Sequence, residues 1–327
     1  MTHKISTKNN INRINKQHPR TLKRLNIQLH IIGSGSALPT KDNFPSSQIL
    51  ELREKQYMID CGEGTQIRIK QMRLKISRLG HIFISHLHGD HCFGLIGLIS
   101  TLGMMNRTAD LHIHAHPDLE RLLQPQLNFF CNESPFKIIF HPINPAVNEL
   151  IFEDRSIEVY TIPLKHRVPS CGFLFKEKQG PRHIKRDMID FYQVPTSQIG
   201  RIKNGEDFKT QDGEIIPNGI LTNPASPTFN YAYCSDTAYN KDIVSIIQHV
   251  DLLFHEATFA DDELLRARQT MHSTARQAAE IAKAAEVKKL IIGHYSARYA
   301  NKNILLNEAK SVFENTQLAE DMMTLDF

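Results

Sequence analysis

The segment Ser85–His91 concentrates metal-binding side chains, since it carries His86, His88, Asp90 and His91 within a few positions. An apolar run precedes it and an apolar, glycine-bearing segment follows, so we predict a loop that leaves a strand and enters a helix. His86 and His88, at alternate positions, can converge on one ion, while Asp90 and His91 can hold a second. Imidazole and carboxylate ligands suit zinc or manganese. The alternative is a loop of solvated histidines.

Other strand-like segments end in residues of the same types. Asp236 and His294 each follow such a segment, and His255 and Glu256 end a third. A carboxylate at Asp236 can bridge two metals. His166 lies in a loop after another strand and offers the third nitrogen that the first ion still needs. An α/β scaffold gathers a site from distant sequence in this way, at the carboxyl ends of its strands.

Length and composition favour a globular enzyme-sized domain. The chain has 327 residues, of which 41% are hydrophobic and 23% are charged, so we expect one main domain with an insertion. Its 5 cysteines form no C-x-x-C pair, which argues against a disulfide framework and a zinc ribbon. We therefore expect a cytoplasmic location. The longest apolar stretch is too short to span a bilayer, so no membrane segment is predicted.

The charge is distributed unevenly along the chain. The formal net charge is only +4, yet residues 1–25 contain several lysines and arginines and no acidic residue. We predict a disordered basic leader over 1–25, ahead of a catalytic domain over 26–327. Such a leader can add phosphate contacts without reading sequence. The alternative is a solvated terminus without a role.

A second basic region interrupts the later half of the pattern. Residues at about 176–215 are rich in lysine, arginine, proline and glycine, with Phe191 and Tyr192 interleaved. We predict an inserted, projecting arm that contacts a nucleic-acid backbone and stacks an occasional base. The alternative is a solvated excursion that merely tolerates charge. The candidate contacts are Lys185, Arg186, Arg201 and Lys203.

Another group of histidines, His112, His114 and His116, alternates along one predicted strand. Alternation would place all three side chains on one face, where they could share a metal. No carboxylate lies beside them, and Pro117 closes the strand. We therefore favour a structural role for this group.

Several blocks of the sequence together carry a family resemblance. They are Gly33–Thr40, Asp60–Gln66, Ile84–Gly97, His255–Phe259, Gly293–Tyr299 and Asn315–Phe327. The chain resembles ribonuclease Z, the tRNA 3′-processing endonuclease family of the metallo-β-lactamase superfamily, over nearly everything from residue 27 onward. The resemblance implies an α/β fold, a four-layer αβ/βα sandwich with metals at the edge of two facing sheets.

The resemblance also implies cofactors and partners. It predicts two Zn²⁺ ions per subunit, or Mn²⁺ or another divalent ion. The ligands would be His86, His88 and His166 for the first ion and Asp90, His91 and His294 for the second, with Asp236 between them. The partners would be precursor tRNA and a second copy of the chain in a homodimer, with the arm at the tRNA elbow. The family loop P-x-K-x-R-N keeps its lysine, Lys41, and loses its arginine, so Lys41 becomes a further substrate-binding candidate.

The chemistry of phosphodiester hydrolysis assigns roles to three side chains. Asp90, beside both metals, can orient the attacking water and receive its proton. His272, just before a helix, can donate a proton to the 3′-oxygen leaving group, with Glu256 as its orienting partner. The predicted products are a tRNA with a 3′-hydroxyl and a trailer with a 5′-phosphate.

Two other functions fit parts of the sequence. A different dinuclear-metal hydrolase of the same fold would act on a small phosphodiester, a thioester or a lactone, but would not need the basic insertion. A non-catalytic RNA-binding protein on an inactive scaffold would not need the expected ligands and His272, all of which are present.

Overall fold

The computed structural model of the protein describes residues 27–41 and 43–327. The predicted basic leader, residues 1–25, lies outside the described residues. No helix within the described ranges is both long enough and apolar enough to cross a membrane.

The amino-terminal half builds one sheet and the helices that cover it. Its elements are β1 (Gln28–Gly33), β2 (Ser47–Leu52), β3 (Lys55–Cys61), α1 (Thr65–Gln71), β4 (Leu79–Phe83), α2 (Gly89–Cys92), α3 (Leu95–Met104), β5 (Leu111–Ala115), α4 (Asp118–Phe130) and β6 (Ile138–Pro142).

Three strands then begin a second sheet, and an inserted segment follows them. The strands are β7 (Leu150–Glu153), β8 (Ile157–Pro163) and β9 (Cys171–Glu177). The inserted segment contains β10 (His183–Ile184), α5 (Arg186–Phe191), α6 (Ile199–Lys203), β11 (Phe208–Lys209), β12 (Ile215–Ile216), α7 (Asn218–Leu221) and β13 (Thr222–Asn223).

The carboxyl-terminal part completes both sheets. Its elements are β14 (Asn230–Cys234), β15 (Leu252–Glu256), α8 (Leu264–Thr270), α9 (Ala275–Ala284), β16 (Leu290–Gly293), α10 (Asn303–Lys310), β17 (Thr316–Leu318) and β18 (Met323–Asp326).

The two large sheets have seven strands each. The first runs in the order β18-β1-β2-β3-β4-β5-β6 and the second in the order β17-β16-β15-β14-β9-β8-β7. Strands β3 to β6 are parallel, as are β14 to β17, whereas β9 is antiparallel to both β8 and β14. The carboxyl ends of β8, β14, β15 and β16 therefore point to one edge of the second sheet, and β9 begins at that edge.

Three apolar layers separate four layers of secondary structure. Side chains alternate between the faces of a strand, so in β14 Tyr231 and Tyr233 enter the cluster between the two sheets, while Ala232 and Cys234 face the helices. The helices α9 and α10 cover the second sheet, and α1, α3 and α4 cover the first. The four-layer αβ/βα sandwich predicted from the sequence is confirmed.

The helix α9 begins next to the predicted site. Thr274 accepts a hydrogen bond from Gln277, whose side chain accepts one from the Thr274 backbone N–H, so the helix has a capping box. Its alanines at 275, 278, 279 and 282 are all buried against the sheet. The cap fixes where the chain enters α9 and hence the position of His272, two residues before the cap.

The inserted segment has its own small core. Ile189, Ile202, Phe208 and Leu221 are among the buried residues that pack together there. Asn218 ties the segment together, because its amide donates to the carbonyls of Ile202 and Glu206. The segment lies outside both large sheets, and its elements continue to Asn223. Its RNA-binding role stays a prediction.

The second histidine group does not share a metal site in this structure. His112 and His114 lie on β5, but the strand ends at Ala115, so His116 lies beyond it and faces Asp118. His112 contacts His141 of β6 (Nδ1 to Nε2, 2.8 Å), and His114 contacts His81 of β4 (Nε2 to Nδ1, 3.2 Å). These four rings stack across the sheet, and His81 and His114 also pack on Phe152, which fits a structural role.

Candidate dinuclear metal centre

The seven predicted ligands lie together at one edge of the sandwich. The loop after β4 supplies His86 and His88, the short helix α2 supplies Asp90 and His91, the loop after β8 supplies His166, and Asp236 and His294 follow the ends of β14 and β16. His86, His91, Asp236 and His294 are almost completely buried. Strand topology brings His166, Asp236 and His294 to the four ligands that lie together within Ser85–His91.

One donor set consists of three imidazoles and one carboxylate, whose ligand atoms surround a common point. His86 Nε2 lies 3.1 Å from His88 Nδ1, and His166 Nε2 lies 3.3 Å from the same His88 atom. Asp236 Oδ2 lies 3.6 Å from His86 Nε2 and 3.7 Å from His166 Nε2. These four residues form a group whose ligand atoms face one another.

A second donor set lies beside the first. His91 Nε2 and His294 Nε2 are 3.4 Å apart, and each lies 3.5 Å from Asp90 Oδ2. Asp236 Oδ1 completes this set, at 3.3 Å from His91 Nε2 and 3.1 Å from His294 Nε2. The two oxygens of Asp236 thus face different donor sets.

The spacing of both sets fits divalent ions. A tetrahedral ion with bonds of 2.0–2.1 Å separates its ligand atoms by about 3.3 Å, and every separation above is close to that value. The donors are imidazole nitrogens and carboxylate oxygens, which suit zinc and similar ions. The residues present therefore fit two adjacent ions that share one carboxylate.

Further hydrogen bonds orient the imidazoles. His91 Nδ1 lies 2.8 Å from Asp60 Oδ2, His166 Nδ1 lies 3.0 Å from the Met271 carbonyl, and His294 Nδ1 lies 3.0 Å from Thr258 Oγ1. Such partners hold the other ring nitrogen, Nε2, towards a metal as a lone-pair donor. This is the arrangement expected when the ring must not rotate.

His272 and Glu256 form a buried pair next to the donor sets. His272 Nδ1 lies 2.8 Å from Glu256 Oε1. Burial disfavours the charged imidazole, but the attraction of Glu256 outweighs it and raises the pKa of His272 to about 9. Thr258 donates to Glu256 Oε2 at 2.6 Å, so the carboxylate is held from both sides. His272 is thereby kept protonated at neutral pH with its Nε2 free to face the site.

His272 can also be grouped as a ligand. Its Nε2 lies 4.0 Å from Asp236 Oδ2, and Asp236, His272 and His294 form a third, overlapping group. This distance is longer than any within the two sets described above. His272 therefore lies beside the two donor sets and not within either of them.

Asp90 receives a hydrogen bond from the backbone of the loop after β1. The Ala37 N–H donates to Asp90 Oδ2 at 2.8 Å, and Ala37 adopts a left-handed conformation (φ 52°). Burial opposes ionisation of Asp90, but the imidazoles of His91 and His294 hold its pKa far below the usual range. Asp90 is thus an ionised acceptor that can orient a water molecule.

The five predicted substrate contacts have different environments. Lys41 is exposed on the loop beside the site. In the inserted segment, Arg186 pairs with Asp190, Arg201 pairs with Glu206, and Lys185 Nζ donates to the Gly219 carbonyl at 2.8 Å. Lys203 forms no ion pair with any described carboxylate. Lys185, Arg186 and Arg201 are therefore held by other groups of the inserted segment, whereas Lys203 is not ion-paired.

Two residues of the site were missed by the sequence analysis. Asp60 lies in the Asp60–Gln66 block, but no role was assigned to it, although its position at the end of β3 was a usable signal. Thr258 lies in the His255–Phe259 block, next to the His255–Glu256 pair, and it too was assigned no role. Asp60 and His294 both adopt left-handed φ values (56° and 59°), which are uncommon for non-glycine residues.

Comparisons with known proteins agree with this geometry. Ribonuclease Z of Bacteroides thetaiotaomicron is 59% identical over 298 residues, which cover 91% of this chain and 94% of that protein. Ribonuclease Z of Phocaeicola vulgatus is 57% identical and covers 91% of this chain and 96% of that protein. A family model described as anti-Pycsar protein Apyc1 matches residues 27–188.

Solved structures resemble the chain in fold. Human tRNase Z, short form, superposes with a TM-score of 0.66 at 24% identity, covering 91% of this chain and 98% of that one. The metallo-β-lactamase fold protein YhfI of Bacillus subtilis superposes with a TM-score of 0.64 at 17% identity, covering 92% and 100%. These likenesses identify the sandwich as a metallo-β-lactamase fold.

Proposed function

Since the chain belongs to the ribonuclease Z family, we propose that it is a zinc-dependent endoribonuclease that removes the 3′ trailer of tRNA precursors. The products would be a tRNA with a 3′-hydroxyl and a trailer with a 5′-phosphate. The observation that carries the proposal is the pair of donor sets joined by Asp236, because a phosphodiester at such a site can be held by both ions.

The metal centre would hold two Zn²⁺ ions per subunit. His86, His88 and His166 would bind one ion, and Asp90, His91 and His294 the other, with Asp236 bridging them. Two divalent ions there would neutralise phosphate charge and lower the pKa of the attacking water. A different divalent ion, such as Mn²⁺, suits the same donors.

Asp90 would orient the attacking water through its carboxylate. Its low pKa keeps it ionised, and hence a hydrogen-bond acceptor, but makes it a poor store for a proton, so we propose that it takes the proton only in transit. The Ala37 N–H holds Oδ2 in place. The carboxylate therefore starts the reaction already aligned.

His272 would protonate the departing 3′-oxygen. The carboxylate of Glu256 keeps the imidazole charged and fixes the ring through Nδ1, so its Nε2–H is directed into the site. A general acid of this kind contributes about 10²- to 10⁴-fold in rate. Glu256 acts through His272 and does not touch the substrate.

The substrate would be held by residues outside the metal centre. We propose that Lys41 contacts the 3′ end of the tRNA near the metals and that the inserted segment contacts the body of the tRNA. Exposed cations recognise RNA through its phosphates. A cytoplasmic location follows from that substrate.

We also propose a homodimer. Four large apolar side chains in or next to the helices that cover the first sheet are exposed: Phe93 by 71%, Met104 by 74%, Phe129 by 77% and Phe130 by 65%. Met104 and Phe130 line the same cleft, of 250 Å³. Exposed apolar side chains of this size mark interfaces.

Sedimentation tests the homodimer. The wild-type chain should sediment as a dimer and Phe130→Glu as a folded monomer, and a wild-type monomer would contradict the proposal.

Cleavage of a 3′-extended tRNA tests the proposed function. The zinc-loaded protein should cut the precursor once at its 3′ side and leave the two predicted ends, while Asp236→Asn should not. A protein that hydrolyses bis(p-nitrophenyl) phosphate but leaves the precursor intact would instead be a small-diester hydrolase of the same fold.

A further inference from the structure

The ring of Phe93 lies against the segment that carries four of the candidate ligands. Phe93 directly follows α2, and a Cβ atom at Gly89 would lie 2.3 Å from its ring, so glycine leaves the room that the ring occupies. Gly89 lies between His88 and Asp90, which belong to different donor sets. The ring therefore contacts the backbone beside the metal centre while most of its surface faces solvent, since 71% of the side chain is exposed.

A second exposed apolar side chain lies next to the same carboxylate. Leu38 is exposed by 70%, and it follows Ala37, whose backbone N–H donates to Asp90 Oδ2 at 2.8 Å. Single apolar side chains are common on protein surfaces. Here, however, an aromatic ring and a leucine both lie beside one largely buried, charged residue of the metal centre. An apolar surface of a substrate would gain free energy by displacing the water from them.

We propose that Phe93, with Leu38 beside it, stacks a nucleobase next to the scissile phosphate, and that this base belongs to the first nucleotide of the trailer. The inference rests on the proposed function, because it takes the substrate to be an RNA cut at the metal centre. Unstacked bases of single-stranded RNA commonly stack on aromatic side chains. Every base has a face for such stacking, so the contact would tolerate trailers of different sequence.

The roles of Asp90 and His272 define which nucleotide meets the ring. In an in-line displacement the attacking water and the departing 3′-oxygen lie on opposite sides of the phosphorus. The last nucleotide of the tRNA would extend towards His272, whose Nε2 lies 4.0 Å from Asp236 Oδ2 of the first donor set. Phe93 and Leu38 lie beside Asp90, in the second donor set. The trailer nucleotide, which keeps the phosphate, is therefore the one beside them.

The test is a cycle of four dissociation constants, measured with the zinc-loaded protein and a precursor whose scissile 3′-oxygen is replaced by a methylene group, so that it cannot be cut. The wild type and Phe93→Ala each bind this RNA with adenosine as the first trailer nucleotide, or with the base of that nucleotide removed. Phe93→Ala should raise Kd for the adenosine RNA roughly 5- to 100-fold, the usual effect of losing one base–aromatic stack. Removing the base should raise the wild-type Kd similarly and leave the Kd of Phe93→Ala unchanged, because both changes remove the same contact.

Two control variants separate stacking from other effects. Phe93→Tyr keeps an aromatic ring and should bind like the wild type. Ile304→Ala removes an apolar side chain that is exposed by 52% on α10, and it should also leave Kd unchanged. Removing the base of the last tRNA nucleotide should raise Kd by equal factors in the wild type and Phe93→Ala. Zinc content should be the same in all variants.

The same ring could instead serve the dimer, and sedimentation distinguishes the two roles. Phe93 is not among the residues that line the cleft shared by Met104 and Phe130, so Phe93→Ala should remain a dimer. A monomeric Phe93→Ala protein would place the ring in the interface and overturn the inference.

The dissociation constants can also overturn it. An unchanged Kd in Phe93→Ala would do so, as would losses from the substitution and from removal of the trailer base that multiply. On a cleavable precursor, Phe93→Ala should raise KM and leave kcat unchanged. A wild-type chain that does not cut that precursor would refute the proposed function, while the four constants would still decide whether Phe93 stacks the base.

Discussion

Replacing Asp60 with asparagine should weaken metal binding although Asp60 is not a proposed ligand. Its buried carboxylate accepts four hydrogen bonds: Oδ1 from the Ser85 N–H at 2.8 Å, and Oδ2 from Ser85 Oγ at 2.9 Å, His91 Nδ1 at 2.8 Å and Tyr233 OH at 2.7 Å. An amide has only one acceptor atom. If its oxygen takes the place of Oδ2, its NH₂ faces the Ser85 N–H, and that buried donor loses its partner.

The size of the effect follows from these contacts. Losing one charge-assisted hydrogen bond and leaving a buried N–H unpaired costs about 2–3 kcal/mol of unfolding free energy. Loss of the carboxylate behind His91 should weaken metal affinity by about 10- to 100-fold, as for other partners of metal-binding histidines. The apo protein should therefore stay folded but bind zinc less tightly.

Competition with a chromogenic chelator measures the zinc Kd, and guanidinium unfolding of the apo protein measures stability. Tyr233→Phe removes only one of the four donors and should have a smaller effect on both. Asp326→Asn, whose carboxylate accepts an exposed hydrogen bond from Gln28, is the matched control. A folded Asp60→Asn protein with the wild-type zinc Kd would refute the role assigned to Asp60.

Three further perturbations test other parts of the structure. His272→Asn should lower kcat on precursor tRNA by about 10²- to 10⁴-fold but have little effect on bis(p-nitrophenyl) phosphate, whose leaving group needs no proton; equal losses would contradict the acid role. Burial and the neighbouring imidazoles lower the pKa of His81 to about 4 and of His114 to about 2, from 6.5. The unfolded chain therefore binds protons at a higher pH than the folded chain does, and the stability present above pH 6.5 should be lost as the pH falls towards 4. Thermal unfolding should show this loss as a decrease of Tm with falling pH, and the decrease should be less steep in His81→Phe. Asp321→Ala frees the N–H groups of Ser34 and Phe44, so it should loosen the loop that carries Lys41 and raise KM for precursor tRNA while sparing the small diester; an unchanged KM would contradict this role.

The sequence was most informative where chemistry follows strand topology. His166, Asp236 and His294 each follow a strand, and parallel strands bring their carboxyl ends to one edge, so their gathering at one site could be predicted from the residues. Their division into two ligand sets was predicted from the family resemblance. The protonated His272 and its partner Glu256 were also predicted as a pair. Their ligand and catalytic roles stay predictions until metal and substrate are measured.

The sequence was less informative where function depends on which atoms meet. Asp60 supports His91 through a contact between residues 31 positions apart, which no local pattern encodes. In the inserted segment, the predicted contacts Arg186 and Arg201 have carboxylates four and five residues along the chain, so their pairing could have been anticipated. The position of Lys203 beside Arg182 could not have been anticipated, because it depends on how β10 packs on α6.

The proposed function depends on two ions that share Asp236, and anomalous scattering from zinc-loaded crystals would locate them. Two peaks per chain are expected, one about 2.0–2.2 Å from Asp236 Oδ2 and the ligand nitrogens of His86, His88 and His166, the other at the same distance from Asp236 Oδ1, Asp90, His91 and His294. A single peak, or a peak ligated by His272 in place of these residues, would contradict it.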